Sequence, residues 1–143
     1  MKKLLAGMVL MSSPLWVMAQ TNTPIGTWQS VDEDGAKKAV VKITQDSNGD
    51  LRGTIIKLNQ KPGALCEKCE GDKKGKPIEG MSIIWSLKKV GDNAWGEGAI
   101  MDPSNGKTYK LKAEMAEGGQ KLKLRGFIGV SLFGRTQTWN RID

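Results

Sequence analysis

The sequence predicts an all-β fold, an eight-stranded antiparallel up-and-down barrel, and three observations carry that prediction. Apolar residues recur with a period of two: Ala39, Val41 and Ile43 alternate with Lys42 and Thr44. Tyr109, Leu111, Ala113 and Met115 alternate in the same way with Lys110, Lys112 and Glu114. Such alternation marks a sheet with one dry and one wet face. Turn residues separate the runs at short intervals, and no stretch carries an apolar stripe at helical spacing. A closed cylinder removes the strand edges that would otherwise aggregate. A two-sheet sandwich is the rival that strand counting leaves open.

The elements follow in order. Lys2 and Lys3 give a charged start, and Leu4 to Val17 is an apolar run broken by Gly7, Ser12, Ser13 and Pro14. Val17 and Ala19 are small residues at the two positions a signal peptidase reads. Residues 1–19 therefore read as a secretory signal peptide cleaved after Ala19, which predicts a periplasmic or secreted protein. The apolar run, about 14 residues, is shorter than the roughly 20 that span a bilayer, so no transmembrane segment is expected after cleavage. Cleavage leaves 124 of the 143 residues as a single domain over 20–143, and loss of two lysines takes the formal charge from +7 to +5.

Eight strands are expected at 26–31, 39–45, 51–58, 81–90, 94–101, 107–115, 121–128 and 133–142. Asp32-Glu33-Asp34-Gly35, Ser47-Asn48-Gly49-Asp50, Gly91-Asp92-Asn93, Ser104-Asn105-Gly106 and Glu117-Gly118-Gly119 fall between them. Each places Gly or Asn where a positive φ is needed. One connection is out of scale: Asn59 to Gly80 is a polar loop of 22 residues. Loops beyond about 12–15 residues are uncommon in compact domains and usually serve a function.

Composition narrows the chemistry. The chain has no histidine, which removes the commonest general base and metal ligand. Two cysteines cannot make a zinc cage, and no pair of carboxylates stands out as an acid–base couple. No metal, no cofactor and no catalytic residue are expected, and the chain reads as a non-enzyme. Asp46-Ser47-Asn48-Gly49-Asp50 begins like a calcium loop, but Leu51 and Lys57 stand where that loop needs Gly and Glu. The basic excess of an exported protein does not argue for nucleic acid. It fits solubility, or peripheral contact with an anionic envelope surface. Cys66-Glu67-Lys68-Cys69 lies inside the long loop. In an oxidising compartment the pair reads as a local disulfide. A thiol–disulfide active site is the sharper alternative, but such sites open a helix, and no helical pattern follows.

Gly26-Thr27-Trp28 opens the first strand and Trp139-Asn140-Arg141 closes the last. The pattern resembles lipocalin-like (calycin-like) barrels, which open on Gly-x-Trp and carry a late arginine. That resemblance implies a barrel-closing role for Gly26, Trp28, Trp139 and Arg141, with the arginine packed across the Trp28 indole. Further motifs resemble a more specific bacterial family of small exported proteins known only as a domain of unknown function, DUF2147. They are the Cys66-x-x-Cys69 loop, Lys76-Pro77-Ile78-Glu79-Gly80-Met81, Asp102-Pro103-Ser104-Asn105-Gly106-Lys107-Thr108-Tyr109, and Leu124-Arg125-Gly126-Phe127-Ile128-Gly129 running on to Gly134-Arg135-Thr136-Gln137-Thr138-Trp139. This second resemblance implies a lipocalin-like barrel in the cell envelope and no particular reaction.

Strand parity points to a binding site. With Trp139 inward, Arg135, Gln137 and Arg141 share its face. A charge inside a small barrel is costly unless paired or solvated. Arg135 and Gln137 are thus expected to hold the head of an anionic amphipath, while Ile83, Trp85, Leu87, Tyr109 and Leu111 receive its apolar body. The bland alternative pairs Arg135 with an acid or leaves it at an open rim. An interaction module is the competing function: a filled barrel whose long loop, with Lys68, Lys73, Lys74 and Lys76, docks on an envelope partner or anionic surface.

Overall fold

The computed structural model describes residues 7, 9–12 and 22–143, so most of the expected signal peptide, its cleavage site included, lies outside the described residues. Eight strands close into one antiparallel barrel in sequence order. They are β1 (Gly26–Val31), β2 (Lys37–Gln45), β3 (Leu51–Leu58), β4 (Ser82–Gly91), β5 (Ala94–Asp102), β6 (Lys107–Ala116), β7 (Lys121–Phe127) and β8 (Gly134–Arg141). Each expected strand is present, with ends differing by at most two residues. The barrel answers the sandwich alternative: β1 pairs with both β2 and β8, so the sheet has no free side. Among the described residues, no helix is long and apolar enough to cross a membrane.

Up-and-down order puts alternate connections at opposite ends. The turns after β2, β4 and β6 share one end with Thr23–Ile25 and the residues after β8. The connections 32–36, 59–81, 103–106 and 128–133 share the other. Alternation fills the inside as the sequence predicts: Val41, Ile43, Leu111, Ala113, Met115, Leu122 and Leu124 are all buried. Four of the five expected turns contain a glycine at positive φ, but Gly91-Asp92-Asn93 contains no such residue. A two-residue link spans that corner without it.

Strict alternation fails on β4, and this decides what the interior looks like. The register against β3 slips between Gly53 and Thr54, so that Ile83 and Ile84 together face one position. Such a bulge turns two successive side chains the same way, and both isoleucines are buried. Trp85 then falls in the same row as Ala99 and the exposed Lys110. A second irregularity follows, where Ser86 and Glu97 both adopt positive φ. It returns Leu87 to the core, fully buried, with its Cδ1 filling the space that a Cβ at Gly98 would need.

The long connection is built rather than loose. Leu65 bridges Pro77, Gly71–Lys73 forms one 3-10 turn, and Cys66 and Cys69 are joined in a disulfide. The disulfide is buried against the β5–β6 hairpin: Cys69 Sγ lies 3.8 Å from Met101 Sδ and Cys66 Sγ 3.7 Å from the Pro103 carbonyl. Gly106 makes that docking possible. It sits at φ 73°, and a Cβ there would collide with the Lys68 carbonyl. Gly106→Ala is therefore expected to lower the unfolding free energy by about 2–3 kcal/mol and to undock the loop. Urea denaturation and amide exchange over residues 64–78 measure both effects.

Candidate functional site

The base of the barrel is closed by one arginine. Arg141 stacks its guanidinium 4.4 Å from the centre of the Trp28 ring. Its nitrogens donate to three carbonyls: Nη2 to Thr23 at 2.7 Å, Nη1 to Ile25 at 3.0 Å and Nε to Gly119 at 2.8 Å. Trp28 is fully buried and donates Nε1 to the Pro24 carbonyl at 2.8 Å. Gly26 leaves the room this needs, because a Cβ there would run into the Arg141 guanidinium and the Asp143 carboxylate. Trp139 is buried in the core beside them. The seam beneath this clasp is thin. Only Trp28–Arg141 and Gln29–Asn140 pair β1 with β8, against seven pairs between β7 and β8. Above that level β8 pairs with β7 alone.

A chamber of about 860 Å³ opens above the base. Val41, Ile55, Ile83, Leu111, Leu124 and Trp139 border it from the strands, with Ile100 and Tyr109 on one wall. The long loop contributes Lys61, Ala64, Leu65, Glu67, Lys68 and Ile78 across its mouth. The charged side chains that border it are Lys38, Lys61, Glu67, Lys68, Asp102 and Arg135, and all but the half-buried Asp102 are exposed. Charge therefore sits at the rim and the wall below is apolar. Among the described residues, no buried side-chain nitrogen or oxygen lacks a hydrogen-bond partner.

The residues singled out from sequence divide. Ile83, Tyr109, Leu111, Arg135 and Gln137 border the chamber, whereas Trp85 and Leu87 do not. The two β4 irregularities are the reason. Trp85 is turned to the outer row, where the Lys73 ammonium lies 4.4 Å above its ring. Leu87 pairs with Leu51 near the base, below the chamber. Arg135 is 78% exposed at the rim and reaches Glu33 at 3.7 Å. Gln137 Oε1 accepts from Trp139 Nε1 at 3.1 Å, and Tyr109 Oη accepts from Asn105 at 3.0 Å. Sequence reasoning missed Val41, Ile55 and Leu124, although their alternation signals an inward face. Length marked the long loop as functional, but no signal placed Lys61, Ala64, Leu65, Glu67, Lys68 and Ile78 at the mouth, since that depends on the docked disulfide.

Comparison with known proteins adds the family. The model of a family described as "Uncharacterized protein conserved in bacteria (DUF2147)" matches residues 26–141. The chain belongs to this family. Among solved structures it is similar to one described as "Protein HP1028 from the human pathogen Helicobacter pylori belongs to the lipocalin family". That likeness has a TM-score of 0.73 at 20% identity, covering 83% of this chain and 82% of the other. At that identity it shows the fold, and the DUF2147 barrel is lipocalin-like. No curated protein matches.

Two predictions follow from the two ends. Arg141→Lys keeps the charge but loses the planar fork that serves three carbonyls, and is expected to cost about 2–4 kcal/mol in urea unfolding. At the rim, Asp32 is held below the ordinary carboxylate value of 3.8, first by the Gln60 amide and then by the Ala36 backbone N–H. Gln60 Nε2 donates to Asp32 Oδ2 at 3.2 Å, so the carboxylate ties the long loop to the β1–β2 turn. A lowered folded pKa means a tie fully present above the ordinary value and lost as pH falls through the folded one. Acidification below that range is expected to lower the amide protection factors around Gln60, measured against the intrinsic rate at each pH, and Asp32→Asn to remove this pH dependence.

Proposed function

We propose that this DUF2147 protein, exported to the periplasm or beyond, binds a small, largely apolar molecule bearing an anionic head, without catalysing a reaction on it. The observation that carries the reading is the chamber: about 860 Å³ with apolar walls and its charges gathered at the mouth. That volume falls within the range of small-molecule pockets. With every buried polar side-chain atom among the described residues already partnered, the interior offers an occupant apolar contact rather than hydrogen bonds. Arg135 and Gln137 border the same space, and a guanidinium at the mouth suits a carboxylate. The burial of both sulfurs weighs against thiol–disulfide chemistry, which needs a sulfur open to attack. The loop lysines weigh less as a docking patch than they did in the sequence, because Lys68 borders the chamber and Lys73 lies on Trp85.

Titration with cis-parinaric acid, whose fluorescence rises in apolar surroundings, tests the reading. Saturable binding with a Kd of about 1 µM is expected. Ile100→Trp, which fills part of the chamber, is expected to weaken it about tenfold. Arg135→Glu is expected to weaken the acid about 3–10-fold while leaving the corresponding alcohol unchanged. Absence of saturable binding, or equal binding by the Ile100→Trp variant, overturns the proposal.

A further inference from the structure

The β7–β8 connection is unlike the other rim turns. From Gly126 to Gly134 the chain reads Gly-Phe-Ile-Gly-Val-Ser-Leu-Phe-Gly, nine residues without a charge. Its apolar side chains stand in water: Leu132 is 80% exposed, Phe133 74%, Ile128 64% and Val130 59%. Four large apolar residues exposed together on one short loop are a patch that calls for a partner. The loop protrudes from the rim and borders the chamber mouth through Ile128 and Phe133. An apolar tip this exposed suits a medium that gives way around it.

Two further features favour lipid. Backbone groups that enter an apolar phase need partners supplied from the protein itself. Arg125 supplies them: Nε donates to the Ser131 carbonyl at 2.7 Å and Nη2 to the Leu132 carbonyl at 3.3 Å. The Phe133 amide is satisfied by the Val130 carbonyl at 3.1 Å. The loop is also flanked along the chain by Arg125 and Arg135. The neighbouring 32–36 turn carries Asp32, Glu33 and Asp34, of which Glu33 pairs with Arg135, and Glu67 and Asp102 border the mouth. The charges next to the apolar tip along the chain are thus basic, an arrangement that suits an anionic interface.

We infer that the barrel docks mouth-first on an anionic phospholipid bilayer, with Ile128, Val130, Leu132 and Phe133 entering the interface and Arg135 at the headgroups. The inference rests on the loop, and it stands whether or not the chamber takes a ligand. Docking in this pose turns the chamber mouth towards the membrane, so that an apolar molecule exchanges without crossing bulk water.

Flotation with vesicles of phosphatidylethanolamine and phosphatidylglycerol, compared with phosphatidylcholine alone, is the test. The purified protein and its variants are prepared with the same N-terminus, verified by intact mass. The wild type is expected to float with anionic vesicles, and several-fold less at high salt. Val130→Asp combined with Leu132→Asp is expected to lower partitioning about 100-fold. The single Leu132→Ser variant should give a smaller loss in the same direction. Both should keep the wild-type circular dichroism spectrum and parinaric acid titration, since Val130 and Leu132 are exposed and do not border the chamber. Failure of the wild type to float, or equal flotation of the double variant, overturns the inference. So does concentration-dependent self-association that the double variant abolishes while vesicles are ignored, because the loop's partner is then a second copy. The parinaric titration scores the ligand reading separately.

Discussion

The Arg141 guanidinium lying on Trp28 is the contact on which the rest of the barrel depends. A cylinder of eight strands is only as closed as its last seam, and the β1–β8 seam has two register pairs. Ladder hydrogen bonds alone would make it the weak point. The arginine compensates by joining pieces that the ladder does not reach: the residues before β1, the turn after β6, and the indole face. It is nearly excluded from water, with 5% of its side chain exposed. A buried guanidinium is tolerable only when its donors are used, and here backbone carbonyls and the ring face take them. This fixes the base, and a fixed base leaves the space above it free to be a chamber rather than a collapsed core.

Much of this was legible in the residues. Period-two alternation located the strands because each has one face in water, and a side chain two positions on meets the same environment. Gly26, Trp28 and Arg141 pointed to the closed end through their resemblance to lipocalin-like barrels, because residues so far apart in the chain carry no local signal that they meet. The chamber was legible where the alternation is regular, at Tyr109 and Leu111 on β6 and Gln137 on β8. It was not legible on β4. Ile83, Trp85 and Leu87 are spaced as if they shared a face, yet a bulge at Ile83–Ile84 and a kink at Ser86 separate them. Nothing in the apolar pattern distinguishes a bulged strand from a straight one. The cause lies on the neighbouring strands, at Gly53 and Gly98, whose missing side chains admit Ile84 and Leu87.

The long connection illustrates the opposite problem. Its composition reads as a solvated loop, but its disulfide is among the most buried parts of the chain. The polar residues face outward while the two sulfurs pack on Met101 and Pro103, so the loop becomes a fixed part of the rim. A disulfide spanning three positions restricts little of the unfolded chain. Its value here is as a compact apolar plug that the hairpin can grip.

The split character of the β1–β8 seam has a mechanical consequence. Stiffness is unevenly distributed around and along this cylinder. At the floor, the last strand is bolted by a buried cation to the residues leading into β1, the Trp28 ring and the turn after β6. Near the top, the same strand leans on one neighbour and is tethered on its other side by a single solvent-exposed Glu33–Arg135 contact. Surface ion pairs of that kind are worth little, at about 0–1 kcal/mol. The upper half of that strand is therefore held less firmly than its lower end, and local opening of the cylinder is expected to begin there rather than at the floor.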